Sequence, residues 1–453
     1  MSSRSTVILI INLVILTVGQ TDGKRYDGHQ LFRVRPRNSR QVEFLKYLHD
    51  DESLKLDFWT FPSLDRDVDI RVTPKSRSYV KRIMEKAGLS TRVAIDDIQA
   101  SIHKELEDMA NSRLSTTGPA TYNFMCEAFG VNCPPDGTGS GSITPSGEIV
   151  GRFSRHSEID AWLTALETEF GDIASVESIG SSYQGRDMKI IKIGKPSQNP
   201  KPVIWVEAGI HAREWISPAV AVWTIDKLLR NYGTDNDVTF MLDTFDWFFL
   251  PSANPDGYEY TFTNDRLWRK TRSPQSRGCY GVDPNRNFDV EFGGAGTSSD
   301  PCADTYPGTE AFSEPETDNI RKSILGVRER AIAFLSFHAY SQLMLTPYGY
   351  TSSKPSDYQE MLRVADASMS ALKSVHGKTF RVGTPPDILY AASGGTYDWA
   401  KAKAGVKYSY TYELRPAEAS WNQSGFIVGE DQIIPSGEEV WASLVTIARE
   451  IQL

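Results

Sequence analysis

A histidine and a glutamate stand three apart in the run Gly209-Ile210-His211-Ala212-Arg213-Glu214-Trp215-Ile216-Ser217-Pro218, directly after a strand-like apolar segment, Val203 to Ala208. In a turn or at the start of a helix, side chains at i and i+3 project the same way and can share one metal ion. Two ligands do not complete a site, so a third must come from elsewhere. The chain has seven histidines. His29, His49 and His103 lie far upstream, which leaves His156, His338 and His376. His338 follows the apolar run Ala331 to Phe337 and so stands at the carboxyl edge of a buried strand, where α/β sheets gather their ligands. His156 and His376 sit in helical or turn contexts without comparable neighbours. Two histidines and one carboxylate leave a fourth metal position open for water, the arrangement of a catalytic zinc rather than a structural one. The reaction still needs a group that moves protons. Glu413 is the candidate, because it interrupts the alternating strand Tyr408-Ser-Tyr-Thr-Tyr-Glu-Leu414, where an unpartnered carboxylate is costly. The plainer reading of Glu413 is an ion pair with Arg415.

These residues need a frame, and the pattern around them supplies one. Strand candidates at Lys189–Ile193, Val203–Ala208, Asp246–Leu250, Ala331–Phe337 and Tyr408–Leu414 alternate with helical stretches at Glu158–Phe170, Ile216–Tyr232 and Glu314–Val327. Such alternation predicts an α/β fold whose central sheet is flanked by helices. Upstream, short strands (Leu31–Val34, Leu56–Phe61, Val68–Val72, Val93–Ile95) and helices (Arg40–Leu48, Tyr79–Ala87, Ile98–Ser112) predict a small separate α+β unit.

At 453 residues the chain exceeds one ordinary domain. Residues 1–20 read as a signal peptide: Arg4, then an apolar run from Val7 to Val18 broken by Asn12 and Thr17, then Gly19. The α+β unit occupies 21–113, a Gly/Ser/Pro-rich linker 114–152, and the larger domain 153–453. No Lys or Arg lies between Arg113 and Arg152, so a trypsin-like protease can cut at either border and nowhere between. Export implies an oxidising compartment, in which four cysteines form two disulfides. The expected pairs are Cys126 with Cys133 and Cys279 with Cys302, although spacing alone does not fix connectivity. Asn422-Gln423-Ser424 is a glycosylation sequon. The net charge of −9, without any basic stripe, argues against a nucleic-acid partner, and no later stretch reaches membrane length.

Seven segments carry a more specific resemblance: GIHAREWISPA (209–219), NPDGYEYT (254–261), RLWRKTR (266–272), GVDPNRNFD (281–289), FHAYSQLMLTPYGY (337–350), LYAASGGTYDW (389–399) and YTYELR (410–415). Together they resemble the metallocarboxypeptidases of the pancreatic and insect-gut A/B type, from about Phe153 to the C-terminus, and the upstream unit resembles that family's activation domain. The resemblance implies a carboxypeptidase-like mixed sheet and one Zn(2+) held by His211, Glu214 and His338. It makes Glu413 the general base and Arg269 the group that steadies the oxyanion. Asn285 and Arg286 would take the substrate's terminal carboxylate, Tyr390 would close over the bound residue, and Arg213 and Tyr340 would line the next subsites. The implied protein is a secreted, digestive, monomeric zymogen acting on peptides and proteins with a free C-terminus once a trypsin-like protease has cut it.

One position departs from the family pattern. The residue before Asp398-Trp399, at the base of the specificity pocket, is aliphatic or aspartate in relatives and is Tyr397 here. Without a carboxylate, a buried Lys or Arg would lack a partner. Together with Leu389, Gly349 and Thr411, this predicts a shallow uncharged pocket that prefers aliphatic or medium polar residues over Trp or Arg. Two other readings are open at this stage: an inactive relative kept as a binding protein, and a different zinc amidohydrolase.

Overall fold

The computed structural model describes residues 23–54, 56–116, 149–417 and 425–452. The expected signal peptide, most of the linker, Cys126, Cys133 and the Asn422 sequon lie outside the described residues.

The N-terminal unit contains β1 (Gln30–Val34), α1 (Ser39–Asp50), β2 (Asp57–Phe58), β3 (Val68–Val72), α2 (Arg77–Lys86), β4 (Arg92–Ile95) and α3 (Ile98–Thr116). Its four strands form one sheet in the order β2-β3-β1-β4, antiparallel throughout. Phe32, Val34, Ile70 and Val72 meet Leu45 and Leu48 of α1 and Val80 and Met84 of α2 in a core of their own. The expected strand at Leu56–Phe61 is shorter than its apolar content predicted. After Phe58 the chain leaves the sheet, and the Trp59 ring packs on Phe426 of the larger domain, 5.2 Å between centroids.

The larger domain runs α4 (His156–Glu169), β5 (Ala174–Ser181), β6 (Asp187–Ile193), β7 (Val203–Ala208), α5 (Ile216–Asn231), α6 (Asn236–Thr244), β8 (Asp246–Leu250), α7 (Pro255–Thr263), α8 (Pro315–Val327), β9 (Ala331–Ala339), β10 (Leu343–Leu345), α9 (Tyr358–His376), β11 (Arg381–Gly383), α10 (Thr396–Ala402), β12 (Tyr408–Leu414) and α11 (Ile433–Glu450). The eight strands order as β11-β10-β12-β9-β7-β8-β6-β5. The block β12-β9-β7-β8 is parallel, whereas β10 on β12, β6 on β8 and β5 on β6 are antiparallel, so the sheet is mixed. Its central strands are apolar on both faces, as a sheet covered twice requires. Ile204, Val206, Leu335, Phe337, Trp247 and Phe249 face one way, toward α4, α5, α6, α9 and α11. Val203, Trp205, Phe334, Phe248 and Leu250 face the other, toward α8 and α10. The Cys279–Cys302 disulfide is formed.

The two domains share apolar packing: Tyr26, Ile98, Ile102 and Met109 belong to the same buried cluster as Trp215 and Phe426. Buried charge pairs sit within the contact. The Arg266 guanidinium forks onto Glu105 of α3 at 2.6 and 2.9 Å, with both side chains almost wholly buried, and also donates to the Phe426 carbonyl. Arg113 reaches Glu158 at 2.8 Å and the Phe153 carbonyl at 2.9 Å. Breaking a buried pair from one side leaves the other charge unpaired, at a cost of about 3–5 kcal/mol. Glu105→Ala should therefore lower the stability of the full-length chain by that order in a denaturant titration, and an unchanged midpoint would show that Arg266 finds another partner.

Candidate active site

Three parallel strands deliver the site at their carboxyl ends. Beyond β7, Gly209 adopts φ +72, a left-handed turn, and a Cβ there would press on the Pro218 ring at 3.0 Å. That turn is pinned in place. Ser217 Oγ accepts from the Gly209 N–H at 3.0 Å and donates to the Phe337 carbonyl of β9, while Asn254 Nδ2 spans the carbonyls of Ile210 and Lys270 at 3.2 and 3.1 Å. The Ala212 N–H donates to the Arg269 carbonyl at 3.0 Å, which ties the histidine turn to the segment carrying Arg269. β9 extends through Ala339, so His338 lies within the strand and not just past it, in register with Glu413 of β12.

His211, Glu214 and His338 converge, all buried, with their ligand atoms within 4.8 Å of one another. The two oxygens of Glu214 lie 2.8 Å from His211 Nδ1 and 3.1 Å from His338 Nδ1, and the two Nδ1 atoms are 3.1 Å apart. On its other side, His211 Nε2 lies 3.2 Å from Asp283 Oδ1, which holds the proton there and leaves Nδ1 as a bare lone pair. Lone pairs converging with a carboxylate in a buried site fit a cation, and this donor set fits zinc. Burial disfavours protonation of His211, and the Arg269 charge adds to that effect. Burial opposes protonation of His338 as well, but the carboxylates of Glu214, Glu413 and Glu207 together outweigh it and the net shift is upward. His156 and His376 lie elsewhere: the first contacts Ser252 at 3.1 Å and the second Glu438 at 2.7 Å.

Glu413 lines the same cleft. Burial raises its pKa to about 8, with Glu214 adding to the rise and His338, Arg269 and Arg66 opposing it. The ion pair with Arg415 that the sequence left open is not made. Arg415 turns to the buried Glu439 of α11, 2.9 Å from Nε to Oε2. Arg269 donates to Asp283 Oδ2 at 3.1 and 2.9 Å and stands 3.9 Å from Glu214. Asp283 also accepts from the Asn285 N–H at 3.0 Å. Sequence reasoning missed this aspartate as a site residue. Its place directly before Pro-Asn-Arg was the available signal.

Arg286 is anchored by bonds from Nε to the Gly296 carbonyl and from Nη1 to the Asn285 carbonyl, at 3.1 and 2.9 Å, and its Nη2 donates to the Tyr390 hydroxyl at 3.0 Å. Asn285 Oδ1 accepts from the Thr396 N–H at 3.0 Å, so its amide nitrogen turns into the cleft, 3.5 Å from His338 Nε2. Tyr397, Thr411 and Leu389 line the cleft too. The Tyr397 hydroxyl lies so near Gly349 that a Cβ there would meet it at 2.4 Å. Beside it, Asp398 is fully buried and takes the Gly349 N–H at 2.8 Å.

The N-terminal domain forms the roof. The cleft, about 1210 Å³, is lined from both domains. Phe61 stacks on Tyr390 at 4.1 Å, Asp69 accepts from the Tyr340 hydroxyl at 2.8 Å, Arg213 lies 3.6 Å from Asp57, and Arg66 and Ser63 donate to the carbonyls of Ile388 and Leu389.

Residues 159–443 match a family model described as zinc carboxypeptidase, and residues 32–105 one described as carboxypeptidase activation peptide. The chain belongs to the zinc carboxypeptidase family. It is similar to carboxypeptidase A2 of Mus musculus, 38% identical over 427 residues and 94% of each chain, and to carboxypeptidase B of Astacus astacus, 44% identical over 302 residues, 66% of this chain and 97% of the relative. The crystal structure of carboxypeptidase A from Helicoverpa armigera superposes with a TM-score of 0.81 at 29% identity, covering 94% of this chain and 98% of that one. As a zinc carboxypeptidase with an activation peptide, the protein is a zinc-dependent peptide hydrolase made as a zymogen. Among the described residues no helix is long and apolar enough to cross a membrane.

The pocket floor has a measurable signature. Burial raises the Asp398 pKa to about 8, against the pull of the Gly349 N–H and the Tyr397 hydroxyl. The folded chain thus keeps this proton up to about pH 8, whereas the unfolded chain releases it near pH 3.9. Between those values the folded state binds more protons, so stability falls as pH rises. Between pH 6 and 8 the loss from this group should be on the order of 2 kcal/mol, and Asp398→Asn should flatten that part of the melting profile. Parallel profiles for the two proteins would contradict the assignment.

Proposed function

We propose that this zinc carboxypeptidase is a secreted digestive proenzyme that removes non-basic residues from the C-termini of peptides and proteins. The supporting observation is one continuous cleft lined by His211 and Glu214 of the metal-ligand triad, by Glu413 and by the buried Arg286. The residue roles follow from that arrangement. Arg286, with Asn285, binds the terminal carboxylate, a planar anion suited to a fixed guanidinium, and an internal residue offers no such group. Tyr390, whose hydroxyl already meets Arg286, closes over the bound residue. Arg213 and Tyr340 face the preceding residues of the substrate.

His211, Glu214 and His338 hold the zinc, which when bound polarises the scissile carbonyl and acidifies a water. Glu413 takes the proton and passes it to the leaving amine. Burial suits it to this task, since it places the carboxyl pKa near neutrality, where a group can both accept and return a proton. Arg269, held by Asp283, meets the oxyanion, a contribution of about 3 kcal/mol for comparable donors. Glu413→Gln should lower kcat by about 10²–10⁴-fold while zinc content by metal analysis stays at one per chain. Turnover near wild type in that variant would remove Glu413 from the mechanism.

Relatives named carboxypeptidase A and carboxypeptidase B both match, so the preferred residue is argued from the pocket. Tyr397 fills the floor, and beside it Asp398 is largely protonated at neutral pH, so no fixed carboxylate awaits a cation. On peptides ending in Leu, Phe, Arg or Glu, the activated enzyme should cleave Leu fastest and Arg poorly. Arg as the best substrate would overturn the pocket reading.

The proenzyme reading draws support from the roof of the cleft, where Tyr390, Tyr340 and Arg213 already contact the N-terminal domain. In this reading residues 1–20 direct export, 21–113 form the inhibitory domain, 114–152 the linker with a Cys126–Cys133 disulfide, and 153–453 the monomeric enzyme released by a trypsin-like protease.

A further inference from the structure

The segment joining linker to enzyme is seated on the larger domain. Ile149 and Val150 pack against the apolar cluster that the two domains share, Gly151 adopts φ +80 against Ile434, and the Arg152 N–H closes a turn onto the Ile149 carbonyl at 3.2 Å. The Phe153 ring is fully buried, 5.7 Å from that of Trp215. Its backbone nitrogen donates to Glu430 Oε1 at 2.9 Å. Glu430 belongs to the short turn before α11, and its second oxygen is buried. Burial raises the pKa of this carboxylate, and the Phe153 N–H, Arg113 and Ser112 of α3 and Arg152 oppose the rise.

The two arginines that border the linker are not equivalent. Arg113 is buried, with its guanidinium spent on Glu158 and the Phe153 carbonyl, and must leave both to enter a protease. Arg152 is partly exposed. A cut after Arg152 also changes the charge around Glu430. Arg152 is parted from Phe153 by the cut itself, and Arg113 goes when the N-terminal domain departs, so in the released enzyme the carboxylate has lost both cations. An inward-facing carboxylate without a counter-charge is costly. The same cut supplies the replacement, since Phe153 acquires an α-amino group at the atom already bonded to Glu430.

We propose that activation cleaves the Arg152–Phe153 bond and that Glu430 is the receiving site for the α-ammonium group so formed. Water adds across the peptide bond: the carbonyl carbon of Arg152 gains the oxygen as a carboxylate, and the Phe153 nitrogen leaves as an amine. With a pKa near 7.7–8.0, that amine takes a further proton from solvent at neutral pH. A neutral N–H donor to one oxygen becomes a charged donor able to serve both, a stronger class of bond. The cleaved end is thereby held in its seat. The inference rests on the proenzyme reading for the fact of cleavage, but the test separates the two.

The full-length protein is treated with trypsin, and the stable product is defined by N-terminal sequencing and intact mass. Melting is then compared for wild type and Glu430→Gln, before and after cleavage. The glutamine can still accept from an amide but offers no charge to an ammonium. The expected product begins at Phe153, and Glu430→Gln lowers its melting temperature by about 2 °C more than it lowers that of the proenzyme. Arg152→Gln supplies the control: of the two arginines that border the linker only Arg113 is then left to trypsin, and in a product beginning at Leu114 the Phe153 nitrogen stays an amide, so the extra loss should vanish. A stable product beginning at Leu114, or equal losses before and after cleavage, overturns the proposal. If the product begins at Phe153 with the extra loss but activity does not rise on cleavage, the ammonium site stands and the inhibitory reading of the N-terminal domain fails.

Discussion

The carboxylate of Asp283 is fully buried, and it accepts from Arg269, from the Asn285 backbone and from the ring of His211. Its pKa lies well below the ordinary value: burial alone would raise it, but Arg269, Arg286 and His211 surround it with positive charge and donors. One anion thus sets the tautomer of a metal ligand, the aim of the arginine beside the metal, and the turn that carries Asn285 and Arg286. The metal ligand comes from a segment far from the other two in sequence, and the aspartate joins it to them. The sheet brings their backbones together, and the aspartate sets the orientation of their side chains.

The sheet meets this demand with the part that is parallel. β7, β9 and β12 run side by side, so their carboxyl ends open at one edge, and each contributes to the site there. The strands beside this block, β10 and β6, run antiparallel to it and extend the platform, and Leu343 and Leu345 of β10 help line the cleft. Apolar residues on both faces of the parallel block keep water out beneath the ligands, which strengthens every electrostatic contact above.

Much of this was legible in sequence, for identifiable reasons. Strands β7, β8, β9 and β12 are uninterrupted or cleanly alternating apolar runs, and the expected limits of three of them coincide with those observed. His338 was selected because it follows such a run. What escaped depended on distant partners. The fate of Arg415 hinged on Glu439, in a helix, α11, that carries a proline near its start and was not anticipated. Likewise α9 mixes Met, Ala and Ser along its buried stripe, a weak apolar signal, and β10 and β11 are three residues each, too short for a period to show. Asp283 looked like one more loop aspartate because its partner His211 is 72 positions away.

The apolar surface shared between the domains has a consequence for timing. While the chain is intact, the N-terminal domain is presented to the cleft at the high effective concentration that a tether confers. Cutting the linker breaks none of the contacts through Trp59, Ile98, Ile102, Met109 and Glu105. It only makes the association bimolecular, so the detached domain stays in place until dilution or its own digestion removes it. How soon the cleft opens is then a property of the surroundings as much as of the protease: a crowded compartment would hold the cleaved pair together, and a large, dilute volume would release it.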